Sequence, residues 1–380
     1  VRVLHVSPYF APAFRYGGPP QSILGLCQAL QDAGVDVEVF TTTANGPDPL
    51  PAAPDGTLHE GVRARYFPLA WPKRYWRAAG LGDALGRAMN DADMVHVHGL
   101  WNLTGWTAVR RARAAGRPYV ISPRGMLRPA AMRRHAMRKR LAFWAAEREH
   151  LRSAAFLHAT SSVEERELSG LGPAVVSIAN GVTPLSPTAD DIARIRQRAG
   201  LEAEDEVVTF LGRLHPIKRL DLLADAFALV RQERPRAHLV IAAPDDDFRR
   251  TIQPLFSQVE SAVRWIGAVD GVAKWALLAG SRALVQCSDS ESFGMSVAEA
   301  LTAGVPVVVT DRSPWSAVNT VGCGYWVDHT AAAIARGVIT ILGRPDACAV
   351  GARGREWAKE QFGWNAIGRS MRHAYETVLK

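Results

Sequence analysis

Along this chain, short runs rich in Val, Ile, Leu and Phe give way to longer stretches whose apolar positions recur every three or four residues. That alternation of strand and helix builds a parallel sheet covered by helices on both faces. Val1–Val6 reads as the first strand, followed by a Pro/Tyr/Gly loop from Ser7 to Pro20. A helix over Gln21–Leu30 stops near Gly34, and Val35–Thr41 is the next strand. Met94–Val97, Pro118–Ile121 and Phe156–Ala159 are further strands with helical stretches between them, and residues 44–60 read as a surface loop.

The alternation restarts after Gly181. Residues 183–205 are a Pro-, Asp- and Arg-rich linker running into a connecting helix. Strand Val207–Leu211 opens the second series, followed by helix Leu220–Arg231 and strands His238–Ala242, Val263–Trp265, Ala283–Gln286 and Val305–Thr310. The fold class predicted is α/β, with two Rossmann-like doubly wound parallel-sheet domains over residues 1–182 and 183–361. Ligands of open parallel sheets bind beyond the carboxyl ends of the strands, so the residues directly after strands carry the most information.

Composition adds limits. At 380 residues the chain exceeds one comfortable core. Cys27, Cys287, Cys323 and Cys348 are scattered with no C-x-x-C pair, which argues against a disulfide scaffold or a cysteine zinc site and fits a reducing compartment. No leader pattern opens the sequence and no apolar run approaches the roughly 18 residues of a membrane span, so the expectation is a cytoplasmic protein. A net charge of +8 suits nucleic acid, an anionic membrane face or a phosphorylated substrate, and its position must decide.

Three loops carry candidate chemistry. Gly17-Gly18-Pro19-Pro20 precedes a helix, where glycines let backbone approach a phosphate and free N–H groups attract it. A flexible loop with proline at the helix start is the alternative. There is no G-x-G-x-x-G, which argues against a dinucleotide there. In Phe210-Leu-Gly-Arg213-Leu-His-Pro-Ile-Lys218, Arg213 and Lys218 follow the strand that opens the second half, and two fixed cations there suit a diphosphate. In Ser290-Glu291-Ser-Phe293-Gly294-Met295-Ser296-Val-Ala-Glu299, Glu291 lies in the loop at the strand mouth, and Glu299 about two turns along a helix that begins near Gly294. Amides of Gly294–Ser296 make an anion site and the carboxylates accept from sugar hydroxyls; a glutamate near a helix start is also a common dipole partner.

With His96-Val-His98-Gly-Leu-Trp101, Ser122-Pro-Arg-Gly-Met-Leu127, Asn180-Gly181-Val182 and Ala300-Leu-Thr-Ala-Gly304-Val-Pro306 in the same order, the chain resembles the family-4 retaining glycosyltransferases of the GT-B fold. The resemblance spans nearly the whole chain. It implies two domains facing a central cleft and a C-terminal helix, after Phe362, crossing back to the first. It also implies transfer of a hexosyl group from a nucleotide-diphosphate sugar, with a UDP-sugar favoured and GDP-mannose second. On that pattern Arg213 and Lys218 bind the donor diphosphate and stabilise its departure, Glu291 contacts the transferred sugar, and Glu299 the ribose. Phe293, Gly294, Met295 and Ser296 hold donor oxygens through their backbone, and Gly17 and Gly18 close over the phosphates. Neither a metal nor another cofactor is implied. The favoured mechanism is front-face, a donor phosphate oxygen accepting the acceptor's proton without an enzyme nucleophile.

The sequence departs from that pattern at Arg124, where many relatives carry histidine near the reacting sugar. Arginine is an obligate cation that can clamp a phosphate or hydroxyl but cannot act as a base. Cys287 and Ala243 replace a frequent proline and glycine and adjust loop shape. His96 and His98 lie on one face of a strand, but no third ligand follows with metal spacing; His98 and Trp101 join Arg124 on the acceptor side and His96 is structural. Asp91-Ala-Asp93 and Asp245-Asp-Asp247 suggest an Asp-x-Asp metal motif, but the first precedes its strand and the second reads as a solvated turn. Arg128 to Arg140 holds six cations and no acid, with Ala130, Met137, Leu141 and Trp144 on one helical face. Such a helix either lies on an anionic membrane or packs by that stripe with a solvated basic face; it can also guide an anionic acceptor. Nucleic acid fits poorly, because the charge is local and no recognition motif accompanies it.

The reading is a glycosyltransferase acting on a glycan or lipid-linked glycan in polysaccharide or O-antigen assembly, cytoplasmic or peripheral on the membrane's inner face. Alternatives are a soluble enzyme decorating a small natural product, a GT-B phosphorylase or a sugar-nucleotide epimerase.

Overall fold

The structure, a computed structural model, describes residues 1–133, 136–244 and 247–380. The chain divides into two compact units, Val1–Gly181 with Trp364–Lys380, and Val182–Gly363.

The first unit is built on an eight-stranded sheet, β1 (Arg2–Val6), β2 (Asp36–Thr42), β3 (Ala53–His59), β4 (Val62–Phe67), β5 (Met94–His98), β6 (Tyr119–Ser122), β7 (Phe156–Ala159) and β8 (Ala174–Ser177), in the order β3-β4-β2-β1-β5-β6-β7-β8. All neighbours are parallel except β3 and β4. The chain leaves β1 towards β2 on one side and returns to β5 on the other, so the topological switch point lies between β1 and β5. β5 is buried at all its positions, which obliges its two histidines to find partners in the core.

Residues 44–60 are not wholly a loop, because 53–59 form β3, a mostly exposed edge strand paired antiparallel with β4. Its polar spelling and Gly56 hide the period of two. Helix α1 (Gly18–Asp32) starts at Gly18 rather than Gln21, since Pro19 and Pro20 hold helical φ in the first turn.

The C-terminal helix (Trp364–Leu379) lies against α1. A Cβ on Gly368 would come within 2.3 Å of the Ala29 carbonyl oxygen, so this crossing needs glycine. Trp364 covers both Gly25 and Gly181, where a Cβ would fall 2.2 Å from its ring.

The second unit holds an all-parallel sheet of β9 (Glu206–Leu211), β10 (Ala237–Ala242), β11 (Val263–Trp265), β12 (Ala283–Gln286), β13 (Val307–Thr310) and β14 (Gly324–Val327). Its order, β11-β10-β9-β12-β13-β14, puts the switch point between β9 and β12. Helix α2 (Gly271–Ala279) and helix α3 (Met295–Ala303) flank β12 in the chain. Phe210, Phe227, Leu239, Ile241, Val285 and Val308 pack into one core around the central strands. The predicted linker becomes a helix over Ala189–Arg198, begun by a capping box in which Thr188 and Asp191 satisfy each other's backbone.

Candidate active site

In the second unit the loops after β9 and β12 meet beyond the switch point. The Asp289 amide donates to the Ile217 carbonyl at 2.8 Å, joining the two loops by backbone. His215 caps the short turn Pro216–Lys218 by accepting from the Ile217 amide at 3.2 Å. Lys218 is thereby aimed across at the β12 loop, where its Nζ lies 2.6 Å from Glu291 Oε2, which also accepts from Ser288 Oγ at 3.1 Å. Arg213 is exposed and has no ion pair among the described residues. One cation is therefore held by a carboxylate and the other is open to a ligand.

Gly294 has φ +92° and caps the start of α3. A Cβ there would lie 2.9 Å from Trp315 Nε1 and 3.1 Å from Glu291 Cγ, so only glycine lets this turn sit against both. The Phe293 side chain is buried and its carbonyl accepts from the Trp315 indole, while Met295 and Ser296 are half-buried at the helix start. Glu299 lies on α3 and is buried, with Oε1 2.6 Å from Lys274 Nζ of α2. Sequence reading missed Lys274, although a lone lysine in the apolar run Gly-Val-Ala-Lys-Trp-Ala-Leu-Leu-Ala signals a buried partner. Cys287, at the frequent-proline position, is buried. Asp245 and Asp246, of the second Asp-x-Asp candidate, lie outside the described residues.

In the first unit three segments converge on Arg124, which follows β6. Its guanidinium donates to His98 Nδ1 at 3.2 Å, to Ser22 Oγ at 2.9 Å and to Asn180 Oδ1 at 3.4 Å. These acceptors follow or belong to β5, α1 and the segment after β8. Arg124 has φ +53° and Trp101, in the loop after β5, φ +61°, a strained conformation for residues with a Cβ. Two buried glutamates hold these turns. Gly125 N donates to Glu164, and the Trp101 amide and the Trp106 indole both donate to Glu147 Oε1, at 2.6 and 2.7 Å. Glu147 is buried in a π-helical turn (Phe143–Glu147), and burial raises its pKa. Nothing in the sequence marked it.

His98 is buried beneath Arg124, so it does not itself line an open acceptor surface. His5 of β1, unforeseen from spacing, brings a third imidazole, and ligand atoms of His5, His96 and His98 lie within 4.8 Å of one another. The hydrogen bonding opposes a metal. His96 uses Nδ1 on the Tyr375 hydroxyl and Nε2 on Ser122, both at 2.6 Å, and His98 Nδ1 faces the Arg124 cation. Asp93 is occupied too, accepting from the Arg2 amide at 2.7 Å, and Asp91 pairs with Arg2 at 3.8 Å. Gly17 has φ +86° at the N-cap of α1, and Gly18 is the first helical residue. The two prolines that follow carry no N–H, so this helix start offers an anion fewer donors than its glycines suggest.

Two residues of the apolar stripe in the basic segment, Met137 and Trp144, face solvent. Met137 is 84% exposed and Trp144 68% exposed, with the Arg148 guanidinium 4.9 Å from the Trp144 ring centre. Arg128 ion-pairs with Glu167 at 3.2 Å. The side chains of Ala130 and Leu141, and residues 134 and 135, lie outside the description. No helix among the described residues is long and apolar enough to cross a membrane.

The glycosyl transferases group 1 family matches residues 191–357, and the glycosyl transferase 4-like domain matches residues 17–181. D-inositol 3-phosphate glycosyltransferase of Jonesia denitrificans is 30% identical over 338 residues, 81% of this chain and 78% of that protein. Phosphatidyl-myo-inositol mannosyltransferase of Mycobacterium tuberculosis is 29% identical over 222 residues, 56% of each. Among solved structures, Anabaena Alr3699/HepE in complex with UDP and glucose aligns with a TM-score of 0.76 at 18% identity over 99% of both chains.

Proposed function

The chain belongs to the group 1 glycosyl transferases, family-4 enzymes of the GT-B fold, and on that premise we propose that it moves a hexosyl group with retention and without a metal. The donor is a nucleotide-diphosphate sugar, a UDP-sugar before GDP-mannose, and the acceptor a hydroxyl of a glycan or lipid-linked glycan. The observation that carries this reading is the Lys218–Glu291 pair beside the Gly294 turn, at the switch point of the second sheet. The UDP complex of the Anabaena structure supports the choice of nucleotide, and the inositol-phosphate and phosphatidyl-inositol names of the relatives support an acceptor joined to phosphate or lipid.

As the sugar–phosphate bond breaks, negative charge grows on the leaving diphosphate. Lys218 and Arg213 offset that charge from fixed positions, work otherwise done by a divalent ion. Glu291 accepts from sugar hydroxyls and Glu299 from the ribose. A donor phosphate oxygen takes the acceptor's proton, so no enzyme base is needed. The exposed Met137 and Trp144 within a basic neighbourhood support a peripheral position on an anionic membrane.

A thermal-shift screen against UDP, GDP, ADP and dTDP, with and without EDTA, tests the donor. A nucleotide at about 100 times its dissociation constant adds about 2.7 kcal/mol. A shift that survives EDTA supports the reading and names the base; no shift with any of them refutes it. Sedimentation with anionic vesicles tests the membrane part, which fails if nothing pellets at low salt.

A further inference from the structure

Arg124 is a cation set among neutral acceptors. Among the described residues it has no carboxylate within ion-pair distance; its partners are an imidazole, a hydroxyl and an amide. Glu164 acts on it only through space, its oxygens being committed to the Gly125 amide and to the amide and hydroxyl of Thr160. Because arginine can only donate, His98 Nδ1 must accept, so His98 Nε2 carries the proton and gives it to His5 Nδ1 at 2.9 Å. His5 Nε2 is then an N–H, and it is buried without a partner. The imidazoles are neutral as well, since burial holds the pKa of His98 well below its ordinary value and that of His5 at about 3. Burial brings Arg124 only to about 10, so it keeps its charge at neutral pH.

Leaving a half-buried guanidinium without a countercharge carries a desolvation cost, and the backbone beneath it is strained. Both costs fall at the β1/β5 switch point, where open sheets bind ligands. Three of the four side-chain contacts of Arg124 are long, at 3.2–3.4 Å, and readily exchanged.

We propose that Arg124 is an anion-binding residue and that the acceptor carries an oxyanion, phosphate or carboxylate, which Arg124 grips at the switch point of the first sheet. This rests on the transferase reading and adds the acceptor's charge to it. It also accounts for arginine where many relatives have histidine, because the proton-transfer chemistry of histidine is exchanged for a permanent charge.

The test is thermal shift on the full chain with UDP saturating, using glucose 6-phosphate, glucuronate and uncharged glucose as probes. The expected result is a shift with one or both anions and none with glucose. Arg124→Gln should raise the apparent dissociation constant for the anion by about tenfold or more, the scale of one charge-assisted hydrogen bond, while keeping its UDP shift. Arg124→Lys should keep part of the anion response, which separates loss of charge from loss of fold. Glucose 6-phosphate alone responding identifies a phosphate acceptor, glucuronate alone a uronate. Equal anion responses in wild type and Arg124→Gln, or none in wild type, overturn the proposal. Loss of the UDP and anion responses together in a folded Arg124→Gln assigns the anion to the donor and overturns it too. A wild type that answers the anions but not UDP refutes the donor reading and leaves the Arg124 site standing.

Discussion

Lys274 Nζ lies 2.6 Å from Glu299 Oε1, and both side chains are buried within the second unit. A buried ion pair is a weak source of stability, because desolvating two charges consumes most of their attraction. Breaking it is another matter. Lys274 comes from the helix before β12 and Glu299 from the helix after it, and the pair uses only Oε1, which leaves the second oxygen of Glu299 available to a hydroxyl.

Replacing Lys274 by Met should therefore cost about 3–5 kcal/mol, the price of an uncompensated buried carboxylate. Lys274→Met with Glu299→Leu should recover much of that loss, and denaturant midpoints of the four proteins measure it. A single variant within 1 kcal/mol of wild type would show that water reaches Glu299 freely.

Arg213→Ala should lower turnover by roughly 10²–10³-fold, the scale of removing one fixed charge stabiliser. Near-normal turnover would sink its diphosphate role. Glu299→Ala should mainly raise the donor KM, while Glu291→Ala, which also frees Lys218, should reduce kcat more. The reverse order would exchange the ribose and sugar assignments.

The first unit should lose stability in mild acid. Burial, helped by the field of Arg124, lowers His5 to about 3; burial also lowers His158, to about 4. The folded values lie below the unfolded value near 6.5, so the unfolded chain binds more protons in between. The stabilisation is complete above about pH 6.5 and falls as pH drops towards 4, by about 1.4 kcal/mol per histidine per pH unit. Glu147 and Glu167, raised by burial, oppose this in the carboxylate range. Urea midpoints at pH 7, 6 and 5 should decline, and less steeply in His158→Asn; a flat series would contradict neutral buried imidazoles.

What could be read from the sequence was whatever is local in it. Arg213, Lys218, Glu291 and Gly294 stand in the loops after strands, and strands such as Phe156–Ala159 and Ala283–Gln286 are apolar at three of their four positions, so their positions follow from short-range pattern. What escaped depends on contacts distant in the chain. Lys274 meets Glu299 across two helices, His5 meets His98 only because β1 and β5 are neighbours, and Glu147 reaches Trp101 through a π-helical turn with no sequence mark. β3 was lost because an edge strand needs few apolar residues. Asn180-Gly181 could be quoted as a motif, yet its reason is spatial. Asn180 touches Arg124, and Gly181 makes room for a ring 183 positions on, at Trp364.

That ring gives the last prediction. Trp364 begins the C-terminal helix and lies against Gly25 of α1 and against Gly181, each close enough that a Cβ would overlap it at 2.2 Å. The ring is enclosed from two directions and cannot move aside cheaply. Two terms compete in Gly25→Ala: better helix propensity, worth about 1 kcal/mol, and overpacking, which costs about 1–3 kcal/mol and more where a rigid ring must shift. With contacts this short the second wins, and Gly25→Ala should destabilise the first unit and loosen the C-terminal helix to limited proteolysis. In a Trp364→Ala background the obstruction is gone, so the same substitution should become neutral or stabilising. A double-mutant cycle in urea measures that change of sign; if Gly25→Ala costs the same in both backgrounds, Trp364 is not what requires the glycine.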